Sequence, residues 1–524
     1  MTAVAAVLVA GSWRASHSNR SFQAENPVTG TKLDDLFPVS GWADCDAALE
    51  AATAAAQQLR HTPPEVIARF LELYASELEA HADALLATAN VETGLPVSPR
   101  LKDVELPRTT TQLRQGAAAA REGSWRQIVI DRKANIRSYY AGLGPVVVFG
   151  PNNFPFAFNG VAGGDMVAAV AAGNPVIAKA HPLHPATSRL LAECAYAAMQ
   201  QSGVPMATVQ MLYHLDNEDG LRLVSDPRVA AIAFTGSRKG GLHLKAAAER
   251  VGKPIYLEMS SLNPIVLLPG ALQEKGAQLA TELADSCLAG AGQFCTSPNL
   301  ILTLAGEDAE QLARAYAEQM EKRPSGTLLS TGGLSGLDAN VRALVAAGAE
   351  VVTGGKPLDG PRYCYSNTLL RVTGAQFLEN AEALQVEAFG NATTLVTAAD
   401  AAQLIEVLQH LEGNLTACVY SSSDSTDDAL YRDVAEVLRT KAGRLLNDKM
   451  PTGVALSPAM NHGGPYPATG HPGFTAVGIP RSLLRFAALQ CFDNVRPHRL
   501  PAELRDDAPH AEIWRQIDGA WVKG

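Results

Sequence analysis

Five short apolar runs between residues 144 and 258, separated by stretches of helix length, constrain this chain more than any other feature. The runs cover 145–149, 175–178, 207–213, 229–234 and 254–257, and they are rich in Val, Ile and Ala. Lacking a regular polar alternation, such strands need cover on both faces. Between them lie an Ala-rich stretch at 157–172 and predicted helices over 186–201, 216–225 and 238–251. This rhythm predicts a parallel sheet with helices on both sides, which binds ligands at the carboxyl ends of its strands.

A chain of 524 residues exceeds what one core supports, so two or three domains are expected. The alternation resumes after a run at 264–268. A helix is predicted over 271–289, then a loop carrying Cys295, a strand over 300–304 and a helix over 308–322. A strand at 349–353, a loop through Glu387, a helix over 400–411 and a segment at 415–420 complete a second α/β unit. Helices are predicted over 44–60 and 64–92, and a pair of extended strands over 124–141. The apolar run 4–10 has no basic residue before it and is short for a signal peptide, so it is read as a strand entering the turn at Gly11-Ser12. From about 461 the tail is rich in Gly, Pro and aromatics, then polar with little periodicity.

Hydrophobic content of 47% with 18% charged residues predicts a soluble protein, and no stretch has the length of a membrane span. The net charge of −10 implies no basic face for nucleic acid. Seven scattered cysteines predict reduced thiols in the cytoplasm, with neither a disulfide framework nor a metal site.

Cys295 sits in Gly290-Ala-Gly-Gln-Phe-Cys-Thr-Ser-Pro298, where small residues leave room for a substrate to reach a thiol. A thiolate attacks carbonyl carbon well, although a free cysteine can also be a small buried hydrophobe. Cys287, on the predicted helix before it, is read as the buried kind. Asn153, in Gly150-Pro-Asn-Asn-Phe-Pro155, can donate an amide to an oxyanion or form an Asx turn. Glu258, after the 254–257 run, is a candidate general base or a surface carboxylate. Thr235-Gly-Ser-Arg-Lys-Gly-Gly241 joins a strand to a helix and offers backbone amides to a pyrophosphate, though it is not a G-x-G-x-x-G. Lys179 ends a strand, where it can reach ribose hydroxyls or simply protect an edge.

Taken together, Phe149-Gly-Pro-Asn-Asn-Phe-Pro155, Gly173-Asn-Pro-Val-Ile-Ala-Lys179, Phe234-Thr-Gly-Ser237, Leu257-Glu-Met-Ser260, Gly292-Gln-Phe-Cys295 and Glu387-Ala-Phe-Gly390 resemble the aldehyde dehydrogenase superfamily. Order and spacing match over about residues 5–495. Within it, Lys179-Ala-His-Pro-Leu-His-Pro185, Phe234-Thr-Gly-Ser-Arg-Lys-Gly-Gly241, Glu258-Met-Ser-Ser-Leu-Asn-Pro264 and His462-Gly-Gly-Pro-Tyr-Pro-Ala-Thr469 resemble the α-ketoglutaric semialdehyde (2,5-dioxovalerate) dehydrogenase branch. The resemblance implies a Rossmann-like parallel-sheet cofactor domain (1–123 and 143–260) and a second α/β catalytic domain (261–445). It also implies a small β oligomerisation flap with the C-terminal tail (124–142 and 446–524), and hence a homodimer or homotetramer. Cys295 would form a thiohemiacetal and then a thioester, Asn153 would hold the oxyanion, and Glu258 would activate water. Lys179 would hold the adenosine ribose, Gly236 and Ser237 the pyrophosphate, Glu387 the nicotinamide ribose, and Phe389 the ring's surroundings.

Departures from the pattern sharpen the expectation. Many NAD-using relatives carry Lys-Pro-x-Glu, whose glutamate grips the ribose 2′-hydroxyl, but here the frame reads Lys179-Ala-His-Pro182. Without that carboxylate a 2′-phosphate is tolerated, and Arg238 or Lys239 can pair with it, so NADP is expected and NAD is possible. Asn152 replaces a common tryptophan, and Asn391 replaces the usual proline after Phe-Gly; both are expected near substrate or cofactor. The leading expectation is NAD(P)-dependent oxidation of 2,5-dioxopentanoate to 2-oxoglutarate. Its alternatives are a broad aliphatic or aromatic aldehyde dehydrogenase, CoA-acylating chemistry (disfavoured by Glu258), and a catalytically silent structural relative.

Overall fold

In the computed structural model, Val146–Phe149, Val176–Lys179, Val209–Leu212, Ala231–Thr235 and Ile255–Glu258 are the five strands that the apolar runs predict. The described residues are 3–473, 475–507 and 513–523, so parts of the segments 1–123 and 446–524 fall outside them. All four contacts between these strands are parallel. Their order across the sheet is 255–258, 231–235, 146–149, 176–179, 209–212, and the antiparallel hairpin Val7–Val9 and Ser12–Arg14 completes seven strands. The chain runs outward from 146–149 to 209–212 and then returns to lay 231–235 on the other side of 146–149. A crevice at the carboxyl ends accompanies such a reversal. Register brings Phe149, Lys179 and Phe234 level, and Thr235 level with Glu258.

Helices cover this sheet where the sequence predicts them. Pro185–Ser202 begins on proline, whose missing N–H costs a helix start nothing, and ends at Gly203 in the left-handed conformation (φ 90°). The stretch 64–92 is two helices, Pro64–Ala80 and Ala82–Thr93, hinged at His81 with no Gly or Pro to announce the break.

A second seven-stranded sheet has the order Glu350–Thr353, Thr368–Thr373, Ala392–Ala398, Leu300–Leu304, Ile265–Leu267, Asn414–Tyr420, Ala442–Asn447. The strands at 368, 392 and 442, and the helices Thr331–Ala346 and Asp428–Lys441, are additions to the sequence reading. Threonines break the apolar run in Ala392–Ala398, yet every residue of that strand is buried. A third sheet joins Ala487–Asp493, Ile136–Gly142, Ile128–Asp131, Trp514–Ile517 and Ala520–Lys523. It contains the extended pair expected at 124–141. It also corrects the expectation of an aperiodic C-terminus, because two short strands there add to the edge beside Ile128–Asp131. Among the described residues, no helix is long and apolar enough to cross a membrane.

Candidate active site

The loop before the strand Leu300–Leu304 holds Cys295 in a backbone that few sequences could adopt. Gly290, Ala291 and Gly292 all have positive φ (56°, 56° and 71°). A Cβ on Gly292 would lie 2.0 Å from the Gly390 carbonyl oxygen, so glycine is required where the motif 387–390 crosses the cysteine loop. Asn263 pins the loop from the opposite side, its amide nitrogen donating to the carbonyls of Cys295 and Ser297, each at 2.9 Å. Burial and the neighbouring Glu258 charge push the Cys295 thiol well above its usual range. Cys287 is fully buried on the preceding helix, as its sequence context suggests.

Asn153 is buried beside this loop, and its amide nitrogen donates to the Gln293 carbonyl at 2.8 Å. A buried pair missed by the sequence reading fixes its position. Arg100 binds the Glu105 carboxylate and donates to the Asn153 carbonyl at 3.0 Å, while Glu105 accepts from the Phe156 and Ala157 amides. Glu258 is buried at the end of its strand, its own carbonyl accepting from Gly236 at 3.1 Å.

His462 joins these residues, and no role was read for it from the sequence. The tail pairs Thr469 with Glu258 in an isolated bridge, and the Met259 amide donates to the Ala468 carbonyl. That passage sets the buried His462 ring between thiol and carboxylate, with Nε2 3.3 Å from Cys295 Sγ and 3.1 Å from Glu258 Oε1. One atom of each of the three residues falls within 4.8 Å of the other two. The motif 462–469 carried the signal; a separation of 167 residues from Cys295 hid its meaning.

A cavity of about 810 Å³ runs from Cys295 and Glu258 along the carboxyl ends of the first sheet. Lys179, Gly236, Ser237, Arg238, Glu387 and Phe389 all line it, together with Asn152, Asn153, Glu258 and Cys295. Ser237 caps the helix Arg238–Arg250, its Oγ accepting from the Gly240 amide at 3.2 Å, and leaves the first-turn amides at the cavity wall. Burial pulls the Lys179 ammonium down to about 8 and pushes Glu387 up to about 7. Glu387 accepts from the Ser261 amide at 3.2 Å.

Two details depart from expectation. Arg238 lines the cavity but spends its guanidinium on Glu412, at 2.8 and 3.1 Å, and Lys239 is not in the lining. Asn391 does not face the cavity: it is wholly buried, donating to the Tyr365 carbonyl and to Asn367 Oδ1 at 2.8 Å each. Its amide bridges two strand connections of the second sheet, which explains how asparagine serves there.

The sequence of the chain matches the model of the aldehyde dehydrogenase family over residues 13–458. It is 39% identical to alpha-ketoglutaric semialdehyde dehydrogenase 2 of Azospirillum brasilense, over 98% of each chain. It is 34% identical to alpha-ketoglutaric semialdehyde dehydrogenase of Acinetobacter baylyi, over 92% of each chain. In fold it is similar to gamma-glutamyl-gamma-aminobutyraldehyde dehydrogenase of Burkholderia cenocepacia, with a TM-score of 0.81 at 20% identity, covering 94% of this chain and 97% of that one. With the motifs gathered around one cavity and a family match over most of its length, this chain belongs to the aldehyde dehydrogenase family.

Proposed function

We propose that the chain oxidises 2,5-dioxopentanoate to 2-oxoglutarate, with NADP preferred to NAD. The observation that carries the chemistry is the meeting of Cys295, His462 and Glu258, two of which, Cys295 and Glu258, line the same cavity as Asn153. The substrate class rests on similarity to two alpha-ketoglutaric semialdehyde dehydrogenases over nearly the whole chain.

Because Cys295 rests as a thiol, attack on the aldehyde carbon needs a base, and His462 Nε2 lies within reach of its proton. The resulting alkoxide faces the second N–H of the Asn153 amide, the first being held by Gln293. A nicotinamide held in the cavity supplies a two-electron acceptor. Lys179, Gly236, Ser237, Glu387 and Phe389 suit such a ligand, since they combine helix-terminal amides, a buried cation and a buried carboxylate along one wall. Oxidation leaves a Cys295 thioester. Glu258 takes a proton from water, the hydroxide adds to the thioester carbonyl, and the acid leaves as the thiolate returns.

No carboxylate pairs with Lys179 among the described residues, and His181 lines the cavity beside it. That corner suits a 2′-phosphate; Arg238 would first have to leave Glu412. Steady-state kinetics with both cofactors, on 2,5-dioxopentanoate and on hexanal, test the reading. We expect kcat/KM to favour the oxo acid and NADP. A roughly tenfold preference for hexanal would retire the substrate, and the same preference for NAD would retire NADP.

For the domains we keep a cofactor unit (1–123, 143–260), a catalytic unit (261–445) and a flap with tail (124–142, 446–524). The third sheet leaves Leu489, Trp514 and Trp521 exposed, which favours a homodimer or homotetramer built through it. A monomeric mass in light scattering would remove that assignment. The described cysteines are all free, which suits a cytoplasmic setting that cell fractionation checks.

A further inference from the structure

Beside the thiol, and outside the lining of the large cavity, stands an aromatic box. Phe154, Ala157, Phe158, Ala476 and Val477 form a buried cluster against which Phe294, Val454, Leu456 and Met460 pack. Phe154 meets the rings of Phe158 and Phe294 edge-on, each at 5.1 Å, and Phe158 lies 5.9 Å from His462. The box therefore reaches both the residue before Cys295 and the imidazole beside it.

Two arginines enter this apolar setting without an acid. The Arg108 guanidinium lies 5.5 Å over Phe158, and its Nη1 donates to the Val454 carbonyl. Its Nε and Nη2 are buried with no hydrogen-bond partner. Arg444 holds the same loop, with Nη2 donating to the Pro451 carbonyl at 2.9 Å and Nη1 3.8 Å from Met460 Sδ; its Nε is buried and unpartnered. Neither pairs with a carboxylate among the described residues. The acid near Arg108 in sequence, Glu105, is already committed to Arg100 and to two backbone amides. Burial lowers both guanidiniums, and an ionised Cys295 is the first opposing charge felt by each. Geometry places Arg108 near the reacting sulfur: Phe158, under its guanidinium, lies 5.9 Å from the His462 ring, whose Nε2 is 3.3 Å from Cys295 Sγ.

A buried cation with unfilled donors is unfavourable unless an anion arrives to complete it. We infer that Arg108, with Arg444 on the same loop, forms the subsite for the substrate carboxylate: the guanidinium takes the C1 carboxylate of an ω-oxo acid while its aldehyde carbon reaches Cys295 Sγ. The fork geometry of Arg108 offers two donors to one carboxylate, and the aromatic box holds the methylenes between the two ends. This rests on the reading of the substrate as an anionic aldehyde.

A purely structural Arg108, clamping Val454, makes a different prediction from a carboxylate subsite. Arg108→Met and Arg108→Lys are compared with the parent on 2,5-dioxopentanoate and hexanal. Inhibition of hexanal oxidation by 2-oxoglutarate is measured alongside. In Arg108→Met, the ratio of kcat/KM for the oxo acid to that for hexanal is expected to fall about 30-fold, mostly through KM. The 2-oxoglutarate inhibition constant is expected to rise by a similar factor, with Arg108→Lys between. A ratio and an inhibition constant both within about threefold of the parent would overturn the subsite, even if each rate fell. Should Arg108→Met fail to fold, the Arg108→Lys ratio decides alone. A parent enzyme that prefers hexanal would instead retire the substrate reading, so the two failures are distinct.

Discussion

Replacing Cys295 with alanine is expected to lower turnover at least about 10⁴-fold, because the covalent route disappears with the sulfur. No other thiol can take over. Cys287 is fully buried with its pKa pushed up to about 12, and none of the other described cysteines lines the cavity. Cofactor affinity should stay within about twofold, since Lys179, Ser237 and Glu387, proposed to hold that ligand, line the cavity from elements outside the 290–298 loop. Steady-state rates paired with a fluorescence titration of the dinucleotide check both halves. Retention of more than a few per cent of the parent turnover would rule out Cys295 as nucleophile.

Glu258→Gln separates the two halves of the reaction. Acid release is expected to slow about 10²–10³-fold because water loses its base, while the first turnover still forms the thioester. Quenched-flow should then record a burst of reduced cofactor near one per active site, and intact-mass analysis should find the acyl group on Cys295. The pH dependence of the burst is set by the thiol. Burial and the Glu258 charge raise its pKa, so the attacking thiolate is scarce at neutral pH and grows as pH rises. Removing that charge lowers the thiol pKa, and the burst rate in Glu258→Gln should level off at lower pH than in the parent. His462→Asn should act in the opposite sense, leaving a burst that still climbs at alkaline pH, because the base 3.3 Å from Sγ is gone. A burst equally fast at every pH in His462→Asn would remove the histidine from the proton path.

Several parts of this site were legible from local chemistry alone. Apolar runs that end at Phe149 and just before Lys179 and Glu258 imply parallel strands, and parallel strands bring the loops at their carboxyl ends to one edge of the sheet. The glycines before Cys295 read as clearance for a substrate, and the structure adds a second reason, the 2.0 Å approach of a Gly292 Cβ to the Gly390 carbonyl. Periodicity was blind to the threonine-rich strand Ala392–Ala398, whose hydroxyl-bearing residues are buried in spite of their polarity. It was equally blind to the C-terminal strands, of which Trp514–Ile517 is held by a ladder to Ile128–Asp131 and Ala520–Lys523 by a ladder to Trp514–Ile517.

The sequence by itself determined the fold class, the family and the residue types at the reacting centre, because strand rhythm and short motifs are local properties. Only the tertiary structure decided which charges meet. It put His462 between Cys295 and Glu258, gave Arg238 to Glu412, closed Asn391 into the second sheet, and left Arg108 buried without an acid. Each of these depends on the approach of segments far apart in the chain. Burial strengthens such a pairing by excluding water, and a sequence motif carries no measure of that distance.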